Sequence, residues 1–144
     1  MNNRGYGGQQ GRGGYDRRDE PAGPDYKAMT HYYDRGCLKR EVFIDWPRSI
    51  AASVAVSRTN MRRAYDSVAA LRHRIRMDED PRTVIGPGMA ALHRFAEYQT
   101  ARNGREWEQA KRFIQTHCEA VDDDPSRFEG FYQLFQSVMA YLRR

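Results

Sequence analysis

Four arginines in one segment of the chain have the type and spacing to bind phosphate. At about 100° per residue of an α-helix, they fall within a sector of about 80° beside an apolar stripe. They are Arg58, Arg62, Arg72 and Arg76, and Tyr65 lies in the same sector. Each guanidinium of this arginine row can contact a separate phosphate of a nucleic acid, and the interleaved tyrosine can stack on a base. The alternative is an ordinary solvated helix face.

The limits of this row depend on the local structure. Arg58 belongs to it only if the helical twist already holds one residue before the predicted cap, Thr59. Arg63 and Arg74 project from the opposite side of the same segment, toward a protein neighbour or water.

A second group of basic residues surrounds the junction of the next two predicted helices. It contains His93, Arg94, Arg102 and Arg105. The planar guanidinium pairs with phosphate and stacks on bases. We therefore add the three arginines of this group to the arginine row and Tyr65 as candidate RNA-binding residues.

The sequence contains no recognisable arrangement of catalytic residues. The four histidines lie in no metal-binding spacing, and the sequence contains no GxSxG, P-loop or GxGxxG motif. The acidic runs at 78–80 and 122–124 are consecutive, so their side chains diverge, and they lie at predicted helix ends, where Asp is a common turn residue. We expect no catalytic residue, no metal site and no cofactor, and hence no enzyme.

Composition permits a nucleic-acid partner. The 144 residues carry a formal net charge of +5, and all but three of the 24 basic residues, Lys27, Lys39 and Lys111, are arginine. A GC-rich genome explains this bias equally well. Cys37 and Cys118 form no CxxC pair, and no apolar run suits a signal peptide or a membrane helix. We expect a cytoplasmic protein with no membrane partner.

The chain divides into two parts by composition. Residues 1–24 are rich in Gly, Arg, Gln and Tyr and lack the apolar side chains that offset the entropy of ordering, which predicts a flexible tail. Its Arg-Gly segments suit loose RNA binding; a merely solubilising tail is the alternative. Residues 25–144 predict a helical domain.

That domain is predicted to be all-α, a compact bundle of about five helices, because no segment alternates with period two. The first helix begins near residues 38–41, and Pro47 either kinks it or opens a second short helix at its first position. The second helix covers 59–77, with Thr59 as its N-cap.

Three more helices complete the predicted bundle. One runs from about Pro87 to Asn103, with Tyr98 on its apolar stripe, and the next begins at Arg105. The last opens with Asp124 as N-cap and Pro125 in the first turn, and runs to the chain end.

Five motifs in order resemble the small subunit of the type III-A (Csm) CRISPR interference complex. They are Tyr32 to Leu38 (YYDRGCL), Ile50-Ala51, Thr59 to Tyr65 (TNMRRAY), Tyr98 to Arg102 (YQTAR), and Phe128 with Met139-Ala140-Tyr141. Together they span about residues 26–144. The pattern departs from the family at His31, where glycine is usual, at Ala64, where an aromatic is usual, and at Pro47.

The resemblance implies a non-catalytic helical bundle present in several stacked copies. It implies contact with the guide–target RNA duplex, chiefly the target strand, beside the repeated backbone subunit and copies of the chain itself. The large signalling and nuclease subunit is then an indirect partner. The rival interpretations are a purely protein-binding helical adaptor and the small subunit of another multi-subunit CRISPR effector.

Overall fold

The computed structural model describes residues 23–77 and 79–143. Of the predicted tail, residues 1–24, all but the last two therefore lie outside the described residues.

The described part of the chain is helical apart from one small hairpin, which confirms the predicted all-α bundle. The α-helices are α1 (Arg40–Phe43), α2 (Asp45–Ser53), α3 (Arg58–Arg76), α4 (Pro81–Asn103), α5 (Glu108–Val121) and α6 (Pro125–Tyr141). Two 3-10 helices cover Tyr26–Thr30 and Gly104–Trp107, and the strands are β1 (Tyr33–Asp34) and β2 (Cys37–Leu38).

The last helix lies at the centre of the bundle. It contacts α1, α2, α3, α4 and α5, and its side chains Phe131, Leu134, Phe135 and Val138 have no solvent exposure. Burying an apolar side chain of this size contributes about 1.5–3 kcal/mol. Asp124 caps α6 by accepting hydrogen bonds from two backbone amides, so the predicted start of this helix is confirmed.

The segment before α1 packs across the two C-terminal helices. Tyr32 is 1% exposed, and its hydroxyl lies 2.6 Å from Nδ1 of the fully buried His117 in α5. Its ring lies against Gly130 of α6, where an added Cβ would come within 2.4 Å of the tyrosine Cγ. A glycine is therefore required at position 130 for this close approach.

A tight turn joins β1 to β2. The strands pair antiparallel, with Tyr33 opposite Leu38 and Asp34 opposite Cys37. The two turn residues, Arg35 and Gly36, both have positive φ, at 55° and 80°. Positive φ at both central residues is what a two-residue type I′ hairpin needs. Two residues per strand are too few to give an alternating sequence pattern.

Three predicted helix starts differ from the observed ones. Ser57, not Thr59, caps α3 through a 3.3 Å hydrogen bond from the Asn60 amide, so the helix begins at Arg58. Of the two alternatives at Pro47, the second short helix is observed, but Pro47 is the third residue of α2 and not the first, as predicted. A proline there loses no helical hydrogen bond, because the first-turn amides have no acceptor within the helix.

The start of α4 near Pro87 was predicted wrongly. The helix begins at Pro81, because Asp80 accepts a hydrogen bond from the Arg82 amide at 3.3 Å and caps it. Pro87 lies inside the helix. The helix predicted from Arg105 begins instead with the 3-10 turn, and the α-helical part starts at Glu108.

Candidate nucleic-acid interface

The arginine row follows the line along which α3 packs against α6. The two helices run antiparallel, since Arg58 at the start of α3 contacts Leu142 just after α6, and Arg72 near the end of α3 contacts Glu129 in the first half of α6. The helix begins at Arg58, so the condition for including this residue in the row is met. The four guanidinium groups nevertheless have different surroundings.

Arg72 is held by an acidic side chain of α6. Its Nε and Nη2 donate to the two carboxylate oxygens of Glu129 at 2.9 and 3.0 Å, and its guanidinium lies 4.3 Å from the ring centroid of Tyr132. Gln133 donates a further hydrogen bond to the same carboxylate at 2.9 Å. Partial burial of Glu129 opposes its ionisation, but the bonds from Arg72 and Gln133 outweigh it and hold the pKa of the carboxyl below its usual value.

Arg58 is also bound within the bundle. Its Nη2 donates a hydrogen bond to the backbone carbonyl of Leu142, which follows the last residue of α6. Its Nε is buried and has no partner among the described residues. The side chain therefore secures the end of α6 to the start of α3.

Arg62 and Arg76 are the members of the row that remain available. Both are exposed, and neither forms a hydrogen bond or ion pair with another described residue. The charge of Arg76 contributes to the low pKa of Glu129 without direct contact. A phosphate group can reach these two guanidinium groups without displacing a bond of the fold.

Tyr65 is part of an aromatic cluster between α3 and α6. Its ring stacks on Tyr132 at 6.1 Å and meets Phe135 edge-on at 5.7 Å. Its hydroxyl lies 3.4 Å from that of Tyr132, and partial burial together with this contact raises the pKa of Tyr65 to about 12. The ring is half-buried, and its contacts stabilise the packing of α3 against α6.

The second basic group lies on α4 and the 3-10 turn that follows it. Arg94, Arg102 and Arg105 are all exposed. Arg102 lies over the ring of Tyr98 at 5.7 Å, while Arg94 and Arg105 form no hydrogen bond with another described residue. His93 faces α5 instead, where its Nε2 lies 2.9 Å from a carboxylate oxygen of Glu119. The group is thus divided between two sides of the helix.

The spacing of Tyr98 predicted a position on the apolar stripe of α4. That prediction is wrong, because the side chain is 56% exposed. It follows Arg94 by four residues and precedes Arg102 by four, so the three share one helix face. The four-residue spacing is visible in the sequence and identifies Tyr98 as a further candidate RNA-binding residue, which the apolar pattern had assigned to the apolar stripe instead.

Arg63 and Arg74, expected to face a protein neighbour or water, are both engaged within the chain and away from α6. The guanidinium of Arg63 lies over the ring of Phe95 in α4 at 5.8 Å. Arg74 donates two hydrogen bonds to Glu79 at 3.3 and 3.0 Å, just beyond the end of α3. Neither belongs to the groove between α3 and α6, which is lined by Arg72, Arg76 and Glu129.

Metal-binding clusters are not formed by the described residues. In residues 23–77 and 79–143, no three His, Cys, Asp or Glu side chains come together to hold an ion. Within the same residues, no helix is long and apolar enough to cross a membrane.

A model of a known protein family matches most of the chain. The family model described as Csm2 Type III-A matches residues 39–144. The match includes α3, α4 and both basic groups, and begins just after the hairpin. Neither a curated protein nor a solved structure matches the chain. The chain belongs to the Csm2 Type III-A family, the small subunits of the type III-A Csm complex of CRISPR systems.

Proposed function

We propose that the chain is a non-catalytic RNA-binding small subunit of a type III-A CRISPR interference complex in the cytoplasm. It contacts the guide–target RNA duplex, mainly the target strand, and is present in several stacked copies beside the repeated backbone subunit. Family membership supports the assignment to the complex. The observation that supports RNA contact is that Arg62 and Arg76, on one helix, are exposed and have no bond to another described residue.

The geometry favours contact with phosphates over reading of bases. Arg62 and Arg76 lie fourteen residues apart on α3, which is about 21 Å along the helix at 1.5 Å per residue. Phosphate contacts fix the position of a protein on a nucleic acid without selecting its sequence. A subunit that serves many different guides needs this kind of contact.

The test is the salt dependence of RNA binding. Arg62→Ala and Arg76→Ala should each weaken binding to a similar degree for all RNA sequences and reduce the salt slope by about 0.7–0.9 for each phosphate that is no longer bound. Arg74→Ala is the matched control, because its guanidinium lies on the same helix but is paired with Glu79. Melting temperatures should stay close to that of the unmodified chain for all three.

Two outcomes would contradict the proposal. Equal decreases in RNA affinity from Arg62→Ala and Arg74→Ala would show that the arginine row acts only through diffuse positive charge. Unchanged RNA affinity, with assembly of the complex disturbed instead, would make the chain a protein-binding adaptor.

A further inference from the structure

One face of α4 carries arginine and tyrosine in alternation. Arg94, Tyr98 and Arg102 follow each other at intervals of four residues and are all exposed. They form a stripe about 12 Å long, at 1.5 Å per residue of helix. We call these three residues the α4 stripe.

We propose that the α4 stripe binds an unpaired stretch of RNA, with the ring of Tyr98 stacked on one base and Arg94 and Arg102 on phosphates to either side. This inference rests on the proposed function. It adds a second RNA element, an unpaired stretch beside the duplex, and names the residue that holds a base.

Tyr98 has the surroundings of a stacking residue. It is 56% exposed, the most exposed aromatic side chain among the described residues. Arg102 lies over its ring at 5.7 Å, a cation–π contact that restrains the ring without covering it. Tyr65 differs, because its ring already stacks on Tyr132 within the bundle.

An apolar groove adjoins the stripe. It lies between α3 and α4, has a volume of about 500 Å³, and is bordered by Arg94 and Tyr98. Leu71 and Gly88 bring the two helices close together at its floor, where an added Cβ on the glycine would come within 2.4 Å of the leucine Cδ1. The groove has the volume and the apolar lining to receive the flat face of a base.

The charges at the groove favour an anionic ligand. None of the described residues that line it is acidic. Arg94 forms no hydrogen bond or ion pair with another described residue, whereas Arg72 in the α3–α6 groove is bound to Glu129. A phosphate at Arg94 or Arg102 therefore displaces no carboxylate of the described residues.

Stacking on Tyr98 requires a base that is not enclosed in a helix. Within a duplex both faces of each base are covered by its neighbours, whereas unpaired bases can stack on aromatic side chains. Aromatic rings between cationic side chains are the usual means of binding single strands without sequence preference. The stripe is therefore suited to a single strand.

The experiment compares variants of the full-length chain for binding to two probes. One is a short oligouridylate that carries a single 2-aminopurine, whose fluorescence falls on stacking, and the other is an RNA duplex. Tyr98→Ala should lower affinity for the single strand about 5- to 150-fold and abolish the quenching, with duplex affinity unchanged. Tyr98→Phe should keep both affinities and the quenching, because its ring still stacks.

Tyr141→Ala is a matched control. Tyr141 is also an exposed tyrosine, 38% exposed, beneath an arginine at 5.7 Å, but its partner Arg48 belongs to α2. This variant should bind both probes as the unmodified chain does. Melting temperature and helicity should be retained in all three variants, since the replaced rings are exposed.

Several results would overturn the inference. Unchanged single-strand affinity in Tyr98→Ala, or an equal decrease for single strand and duplex, would show that the ring stacks on no unpaired base. Unchanged RNA binding with loss of co-purification with the tagged backbone subunit would make the groove a protein-docking site. These three outcomes leave the proposed function standing. Failure of the unmodified chain to bind either probe, free or within the assembled complex, would contradict the proposed function itself.

Discussion

Arg72 and Glu129 meet side-on, with two parallel hydrogen bonds of 2.9 and 3.0 Å joining the guanidinium of α3 to the carboxylate of α6. Paired in this way, Arg72 cannot give both donors to a phosphate unless the carboxylate is displaced. The pairing therefore joins α3 to α6 and competes with any phosphate for the guanidinium.

Replacing the carboxylate should strengthen RNA binding. Glu129→Gln removes a negative charge from the α3–α6 groove and frees Arg72, so affinity should rise and the salt slope should increase by about 0.7–0.9. The free energy of unfolding should fall by about 1 kcal/mol, as for a partly exposed ion pair. Binding titrations at several salt concentrations measure the first effect and urea unfolding the second.

Glu119→Gln provides the control for net charge. Glu119 is paired with His93 on α4, on another side of the bundle. An equal gain in RNA affinity from this change would show that the effect is one of total charge and that Arg72 has no part in it.

Phe131 should be essential to the core. Its ring has no solvent exposure and stacks on His117 at 5.5 Å, so Phe131→Ala leaves a cavity and should cost about 3–5 kcal/mol. In a domain of this size that is a large part of the total stability. Chemical unfolding measures the decrease, with the exposed Phe43→Ala as the control. Equal stability of the Phe131→Ala and Phe43→Ala variants would show that the Phe131 side of α6 does not face the core.

Acid should weaken the fold through His117. Burial lowers the pKa of this imidazole from its ordinary value of 6.5 to about 3. Because the unfolded chain binds the proton from about pH 6.5 downward and the folded chain does not, the free energy of unfolding should fall between about pH 6.5 and 3, by at most about 1.4 kcal/mol per pH unit. Urea unfolding across this range measures the slope.

His117→Gln isolates the contribution of that one residue. The variant has no titrating group at position 117, so its slope should be smaller than that of the unmodified chain, whatever its absolute stability. The same slope in both proteins would assign the acid sensitivity to carboxylates such as Glu129, whose pKa is low in the folded state.

Removal of the N-terminal segment should leave the melting temperature nearly unchanged. Residues 1–24 offer scarcely any apolar side chain to bury, so deletion should remove little packing energy. RNA affinity should fall modestly if the Arg-Gly segments contribute. Differential scanning calorimetry of the full and shortened chains makes the comparison, and a large drop in melting temperature would contradict the prediction.

The helices with strong local patterns were predictable from the sequence. In α6, Asp124 and Pro125 mark the start, and apolar residues recur every three or four positions up to the end. The start of α4 was harder, because two prolines, Pro81 and Pro87, lie within seven residues and either can open a helix. The side-chain bond of Asp80 decides between them, and a single sequence does not show it.

The candidate site was predictable only in part. Helical spacing placed the arginine row on one face of α3, but the partners of Arg58 and Arg72 lie 84 and 57 residues further along the chain. No local pattern reveals that α6 supplies a carbonyl and a carboxylate to that face. The exposure of Tyr98 likewise depends on which neighbouring helices cover α4, a tertiary property.

The docking of residues 26–33 has a consequence for the order of synthesis. Tyr26, Tyr32 and Tyr33 form their side-chain hydrogen bonds with residues 83, 85 and 93 positions later. A ribosome releases this segment well before its partners in α5 and α6. Contacts of such high sequence separation form slowly, because closing a long loop costs entropy before the contacts can contribute stabilising energy. The bundle therefore closes only after translation has delivered α6, and a nascent chain arrested before that point exposes the tyrosines.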